Sequence, residues 1–201
     1  MQGGDLTANP LRAAAVVLLL AASTPARADD AAECSRDALA LANFGRAFDA
    51  CRRWADSGSP LAEYNLGEMY NRGLGVPRDY AEGSVWLRRA ADQGFAPAEA
   101  ALGRMFQQGD GMSANPVEAA KWYRRAAEQG YAPAQRQLGI EYFAGRGVPQ
   151  DDIAAYMWLT LTGAGLGATG AAVREAVARR MTRAQIEAAE ELVREWKPAP
   201  R

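Results

Sequence analysis

The fold of this chain is decided by the stretch LGEMYNRGLGVPRDYAEGSVWLRRAADQG, residues 66–94, and by its near-copy LGRMFQQGDGMSANPVEAAKWYRRAAEQG, residues 102–130. The two stretches align without a gap at a distance of 36 residues, and a third unit begins in the same register at Ala132. The shared columns include a Leu-Gly pair, an aromatic residue, two closely spaced glycines and a tryptophan. A fixed period of this length is typical of repeat architectures.

Each unit predicts two helices joined by a glycine turn. Apolar residues such as Leu66 and Met69 recur at helical spacing in the first helix, and Gly67 would let a neighbouring helix approach closely. Gly73 and Gly75 are expected to supply a left-handed C-cap and the turn that follows it.

The second helix of each unit begins after a residue that suits an N-cap, as at Asp79 and Asn115. Its apolar stripe includes one tryptophan per unit. A tryptophan that recurs once per repeat among small apolar residues is more often packed between units than part of a ligand cage. We therefore expect a buried tryptophan column made of Trp86, Trp122 and Trp158.

The first 28 residues predict a processed targeting segment. Arg12 precedes a run of ten apolar residues, which is too short to cross a bilayer as a helix. Ala26-Arg27-Ala28 fits a small-x-small cleavage site. We therefore expect cleavage after Ala28, a periplasmic or secreted protein, and no membrane span after cleavage.

The chain has two cysteines, Cys34 and Cys51, and both follow the predicted cleavage site. An even number of cysteines in an exported protein suggests a disulfide. The surrounding segment predicts a hairpin with helices over 31–42 and 46–57 and a turn at Asn43-Phe44-Gly45, which places the cysteines opposite each other. Two buried free thiols are the alternative, and a metal site would lack a third ligand.

The repeated motifs resemble the Sel-1-like repeat family, a relative of the tetratricopeptide repeats. The resemblance rests on Leu66–Tyr70 and 86–94 in the first unit and on the matching residues of the second, and it extends over about 60–163. It implies an all-α fold, an α/α solenoid in which helix-turn-helix units of period 36 form a right-handed superhelix. The expected parts are a signal peptide (1–28), a degenerate N-terminal capping hairpin (29–59), three repeats (60–95, 96–131 and 132–167) and a C-terminal capping hairpin with a tail (168–201).

The last part of the chain predicts a further pair of helices over 169–181 and 183–196. Thr182-Arg183-Ala184-Gln185 is a capping box that would start the second of them. Its apolar face is expected to cap the third repeat, because an uncapped repeat would expose Trp158; binding of a partner is the alternative role. That face contains Ile186, Ala189, Leu192, Val193 and Trp196.

Composition argues against several classes of function. A formal net charge of −1 offers no basic surface for nucleic acid. The absence of histidine removes the commonest general base and the commonest zinc ligand. The paired glycines are not a phosphate-binding loop, because no Gly-Lys-Ser/Thr follows them. We therefore expect no catalytic residue, no metal and no cofactor.

The family resemblance implies a protein-binding role, because its members typically act as adaptors in signalling or assembly. We expect a non-catalytic, monomeric scaffold or adaptor of the bacterial cell envelope that binds a protein or peptide partner, with a role in envelope signalling. One alternative is a β-lactamase-like hydrolase, a label carried by some exported, cysteine-rich relatives, although the Ser-x-x-Lys motif is absent. A purely structural envelope protein is the other.

The partner is expected on the concave surface, which the first helices line in solenoids of this kind. Positions spaced by four and then three residues lie opposite the buried stripe of these helices. Two arginines among them favour a partner with acidic residues flanked by hydrophobic ones. For the polar residues of this face, the alternative is that they are exposed to solvent and bind nothing. For Phe143, the alternative is that the C-terminal hairpin covers it instead of a partner. The predicted partner-binding residues are Tyr64, Glu68, Asn71, Arg104, Gln107, Arg136, Ile140 and Phe143.

Overall fold

The computed structural model describes residues 28–34 and 44–199, and this part of the chain is helical throughout, without a strand. The predicted signal peptide lies outside the described residues, except for its last residue, Ala28, which begins the first helix. In chain order the helices are α1 (Ala28–Glu33), α2 (Phe44–Ala55), α3 (Pro60–Arg72), α4 (Tyr80–Asp92), α5 (Ala96–Gln108), α6 (Pro116–Glu128), α7 (Ala132–Ala144), α8 (Asp152–Leu161), a 3-10 helix (Gly163–Leu166), α9 (Gly167–Ala178) and α10 (Arg183–Glu195).

Three helix-turn-helix units form the centre of the molecule: α3 with α4, α5 with α6, and α7 with α8. We call the first helix of each unit helix A and the second helix B. Each helix A also packs against helix B of the preceding unit, and α3 packs against α2 in the same way. The predicted all-α solenoid is confirmed.

The predicted capping residues explain where the helices begin and end. Asp79 accepts hydrogen bonds from the backbone N–H groups of Ala81 (2.9 Å) and Glu82 (3.0 Å), and Asn115 accepts one from Glu118 (3.1 Å). Each helix A ends at a glycine in the left-handed region, where L side chains are disfavoured. These caps set the 36-residue register of the units.

The glycine inside each helix A allows the two helices of a unit to pack closely. A Cβ atom on Gly67 would lie 2.7 Å from Leu87 Cγ, and one on Gly103 would lie 2.8 Å from the Tyr123 ring. Interiors packed this tightly have no room for an added methyl group. Close approach at Gly67, predicted from the sequence, is confirmed.

The tryptophan column packs between units as predicted, but full burial was wrong for two of its members. Trp158 is 8% exposed, whereas Trp86 and Trp122 are only partly buried. The arginine three residues after each of these two lies over the indole ring, with 4.7 Å from guanidinium carbon to ring centroid in both units. The rings therefore pack inward on one side and carry a cation on the other.

The N-terminal segment corrects one prediction and confirms another. Phe44 and Gly45, which we expected in a turn, form the first residues of α2, and the predicted helix over 31–42 is described only to Glu33. Helix B of the first unit begins at Tyr80, and the 36-residue register carried backward gives Phe44, so α2 is the helix B of an incomplete unit. Cys34 and Cys51 form the predicted disulfide, and both are fully buried.

The C-terminal helices cover the end of the third unit. The predicted capping box is confirmed: Gln185 N–H donates to Thr182 Oγ1 (3.3 Å), and Thr182 N–H donates to Gln185 Oε1 (2.8 Å). Ala189 is buried against α8 and α9, but Leu192, expected on the same face, is 42% exposed. Within the described residues, no helix is long and apolar enough to span a membrane.

Candidate functional site

A cavity of about 250 Å³ lies along the helices A of the three units. We call it the A-helix groove and define it by five of its lining residues, Tyr64, Arg72, Arg104, Tyr131 and Arg136. Three of the five were predicted as partner-binding residues. The repeat register explains the arrangement, because Tyr64 and Arg136 occupy the same column in the first and third units.

The charge of the groove is organised around one carboxylate. Glu68 accepts hydrogen bonds from Arg72 and Arg104, each at 2.5 Å, so it links helix A of the first unit to helix A of the second. The arginine side chains remain 58% and 39% exposed, whereas that of Glu68 is 10% exposed. With Arg136, the lining has three guanidinium groups against one carboxylate, a net charge of +2. The groove therefore favours an anionic ligand.

Two tyrosines give the groove an aromatic surface beside its cations. The Tyr64 ring packs against Phe95 with 5.6 Å between centroids. Burial and the nearby Glu68 raise the pKa of Tyr64, so its hydroxyl stays protonated at neutral pH and keeps a proton to donate. Aromatic and arginine side chains are the types that dominate binding energy at protein interfaces.

Two of the predicted residues do not lie on an open face. Glu68 and Asn71 are 8% and 7% exposed, because the second unit covers this side of α3. Asn71 Nδ2 donates to Met105 Sδ (3.4 Å). Gln107 is partly buried and donates to Glu141 (2.6 Å). These side chains connect neighbouring units, and of the three only Glu68 also lines the groove.

The third-unit end of the predicted surface is covered by the C-terminal helices. Ile140 and Phe143 are partly buried and pack with the core that includes Val177 and Ala189. The Arg180 guanidinium lies over the Phe143 ring, 5.2 Å from its centroid. The C-terminal hairpin therefore covers Phe143, as the alternative for this residue predicted.

Two groove residues escaped the sequence analysis. Arg72 lies four residues after Glu68, a spacing typical of helical ion pairs that would have placed it beside the groove. Tyr131 precedes α7 as its N-cap residue, and nothing in the helix periodicity indicates its orientation.

A second repeated set of polar residues lies inside the units. Glu63 is 2% exposed and is bound by Arg89 of helix B (3.8 Å) and by Gln93, the C-cap residue of that helix (2.6 Å). Glu99, 36 residues later, is 1% exposed and has the same two partners in its own unit, Arg125 (3.0 Å) and Gln129 (2.7 Å). Each carboxylate thus fastens helix A to helix B.

The third unit changes all members of this set together. Gln135 replaces the glutamate, Leu161 the arginine and Gly165 the glutamine. Gln135 is 2% exposed and donates to the carbonyl of Ala127 (3.2 Å). Because an unpaired buried charge is costly, a neutral amide is the residue expected where the cation is missing. These carboxylates therefore serve packing, and no group of three or more His, Cys, Asp or Glu side chains in the described residues could hold a metal.

The buried carboxylates predict a pH dependence of stability. Desolvation raises the pKa of Glu63 and of Glu99, against the opposing effect of Arg89 and Arg125. A raised pKa in the folded state means that the fold binds more protons than the unfolded chain, so this contribution to the unfolding free energy grows as pH falls through the raised pKa and is lost as pH rises through it.

The test compares wild type with the double variant Glu63→Gln/Glu99→Gln, which copies Gln135. We expect the variant to be at least as stable as wild type at pH 7, and wild type to gain on it as pH falls toward the ordinary glutamate pKa. Urea denaturation at several pH values measures the difference. A stability difference that stays constant with pH, or that moves in the variant's favour on acidification, would contradict the prediction.

Comparison with known proteins gives a consistent result. The model of the Sel1 repeat family matches the chain at residues 60–95, 96–131 and 132–162. The chain is similar to a protective antigen present in uropathogenic Escherichia coli strains and displaying an SLR fold, with 34% identity and a TM-score of 0.70, over 77% of this chain and 33% of the antigen. It is also similar to a Sel1 repeat protein from Oxalobacter formigenes, with 32% identity and a TM-score of 0.59, over 65% of this chain and 98% of that one. This chain therefore spans about a third of the antigen's length. No curated protein matches in sequence.

Proposed function

Because the chain belongs to the Sel1 repeat family, whose members generally act as protein-interaction scaffolds, we propose that it is a non-catalytic scaffold or adaptor of the bacterial cell envelope. It binds a protein or peptide partner along the A-helix groove and acts as a monomer in envelope signalling. The Cys34–Cys51 disulfide supports an oxidising compartment, because disulfides persist mainly in exported proteins.

The observation that carries the proposal is the net charge of +2 beside the tyrosines of the groove. Glu68 holds two of the arginines in place, so a ligand does not have to order both side chains itself. Arg104 and Arg136 would each donate hydrogen bonds to a carboxylate, and Tyr64 and Tyr131 would pack against apolar side chains between or beside them. The expected partner segment therefore carries acidic residues flanked by hydrophobic ones.

The first experiment identifies the partner by crosslinking and pull-down from periplasm with the wild-type protein. The pair Arg104→Glu/Arg136→Glu is expected to lower the affinity for the captured partner by about tenfold or more, because it inverts the charge of the groove. Arg88→Glu/Arg194→Glu is the matched control, since it makes the same change in charge at exposed arginines outside the groove.

Two further variants separate binding from folding. Glutamate at position 104 would lie beside Glu68, so the neutral pair Arg104→Gln/Arg136→Gln tests the groove without that repulsion and should also weaken binding. Tyr64→Ala should lower the affinity as well, together with some loss of melting temperature because the ring packs on Phe95. Wild-type affinity in both arginine pairs would overturn the groove as the binding site.

A further inference from the structure

The C-terminal tail, residues 196–199, lies across the boundary between the second and third units. The Trp196 ring packs edge-on against Trp158, with 6.4 Å between centroids. Ala199 N–H donates to the carbonyl oxygen of Glu128 at 2.7 Å. This carbonyl belongs to the last residue of α6, where no intrahelical donor remains. The tail is thus an extended segment that docks on the end of a helix B.

A glycine makes room for the tail at this place. Gly130 has a φ of +84°, and a Cβ atom built on it would lie 3.5 Å from Trp196 and 3.8 Å from Pro198. The tail therefore passes directly over the glycine backbone. A helix-end carbonyl, a bare glycine and the tryptophan of the next helix B together form the docking site.

The same three features recur one unit earlier, at positions 36 residues lower: the carbonyl of Asp92, Gly94 and Trp122. Gly94 has a φ of +76°, and a Cβ atom built on it would meet no atom of the described residues within 4 Å. The tail fills the site at Gly130. None of the described residues fills the equivalent site at Gly94.

Two cavities meet at this open position and share Gln93, Gly94 and Gln129. One, of about 340 Å³, reaches from there to Ala199, the last described residue of the tail. The other, of about 380 Å³, extends to Pro60. We call the two together the Gly94 groove. Because its lining runs from Pro60 to Ala199, the groove suits a short extended peptide better than a small ligand.

The chemistry of the Gly94 groove differs from that of the tail site, because the third unit lacks the Glu-Arg-Gln set. Arg125 stands where the third unit has Leu161, and its guanidinium lies over Trp122. The Arg125 side chain is 49% exposed, so its outer face is open to a second aromatic ring. The lining includes Glu99, Glu128 and Arg125, a net charge of −1, which favours a basic residue in the ligand.

We propose that the Gly94 groove binds an extended segment of a partner protein in which an aromatic residue, a basic residue and a proline follow one another. The chain's own Trp196-Lys197-Pro198 has this chemistry and occupies the equivalent site. In the bound segment the aromatic ring packs on Arg125, the basic residue faces Glu128 and the proline lies over Gly94. The next N–H donates to the carbonyl of Asp92. The Gly94 groove borders the A-helix groove at Tyr131, but Arg104 and Arg136 do not line it, and neither proposal depends on the other.

The experiment titrates the capped peptide Glu-Trp-Lys-Pro-Ala, which copies residues 195–199, into the isotope-labelled full chain. Saturable shifts of the Trp122 indole and Gly94 amide signals are expected. Gly94→Asn should weaken binding by about tenfold or more, because asparagine tolerates a positive φ while its side chain fills the groove. Gly58→Asn is the matched control, since Gly58 is the corresponding glycine 36 residues earlier, with a similar φ of +83° and open surroundings, but does not line the Gly94 groove.

Two further arms test the details. A peptide with glutamate in place of lysine should bind several times more weakly at low salt. Arg104→Gln/Arg136→Gln should leave peptide binding unchanged, which separates this site from the A-helix groove. The proposal is overturned if no saturable shift occurs, if Gly94→Asn binds like wild type, or if the shifts centre on Trp86 or Trp158. It is also overturned if the full chain self-associates through Gly94, since the occupant would then be the tail of a second copy.

Discussion

Alanine in place of Gly147 should lower the free energy of unfolding by about 2–5 kcal/mol. Gly147 has a φ of +69°, which L residues rarely adopt. A Cβ atom there would also collide with the backbone carbonyl of Pro116, the first residue of α6. A backbone carbonyl inside a helix cannot move aside as a flexible side chain can, so the strain and the overlap add. Urea denaturation followed by circular dichroism measures the loss.

Gly145→Ala provides the matched control two residues away. Gly145 has nearly the same φ, +67°, but its added Cβ atom would lie 3.3 Å from Gln150 Cβ, a contact that a shift of a few tenths of an ångström relieves. We expect a loss of about 1 kcal/mol, the strain of a positive φ alone. Equal losses in the two variants would show that the contact between neighbouring units at Gly147 is unimportant.

Removing the Cys34–Cys51 disulfide should cost about 3 kcal/mol, the chain-entropy value for a loop of this length. The six residues of α1 are too few to form a stable helix alone, so the bond and a few side chains hold them. Those contacts include Asp30 with Arg53 (2.6 Å) and Asn65 Nδ2 with the Cys34 carbonyl (2.7 Å). The loss should therefore be concentrated in α1, α2 and the start of α3.

Melting curves with and without reductant test this prediction, with hydrogen exchange to locate the opening. Cys34→Ala/Cys51→Ala is the control, because reductant should have no effect on it. Two thiols that react with an alkylating reagent without prior reduction would contradict the disulfide itself. An unchanged melting temperature on reduction would contradict its role in stability.

The central units were predictable because local signals and the repeat register agree there. N-caps at Asp79 and Asn115 and the left-handed glycines are short-range features, and each is seen again 36 residues later. At the N-terminus these two sources conflict. Asn43-Phe44-Gly45 favours a turn locally, whereas the register places a helix start at Phe44, and the packing of Gly75 against the Phe44 carbonyl favours the register.

The groove was predictable only in part, because helical periodicity assigns one buried face to each helix. A helix A packs against helix B of its own unit and against helix B of the preceding unit, and some of its side chains also reach the next helix A. Glu68 and Asn71 are among these side chains, and their burial depends on Arg104 and Met105 of another unit. The inward orientation of Glu63 and Glu99 likewise depends on partners on helix B. Contacts of this kind are not encoded in the spacing along one helix.

The changes in the third unit determine where the solenoid can be lengthened. Leu161 leaves Trp158 without an arginine, and Trp196 of the tail covers the ring in its place. A unit inserted after residue 167 would separate the tail from this tryptophan and would follow a helix pair that lacks the Glu-Arg-Gln set. A duplicate of residues 60–95 placed before residue 96 meets complete sets on both sides. We therefore expect that duplication of a unit can lengthen this solenoid in its middle but not at its C-terminal end.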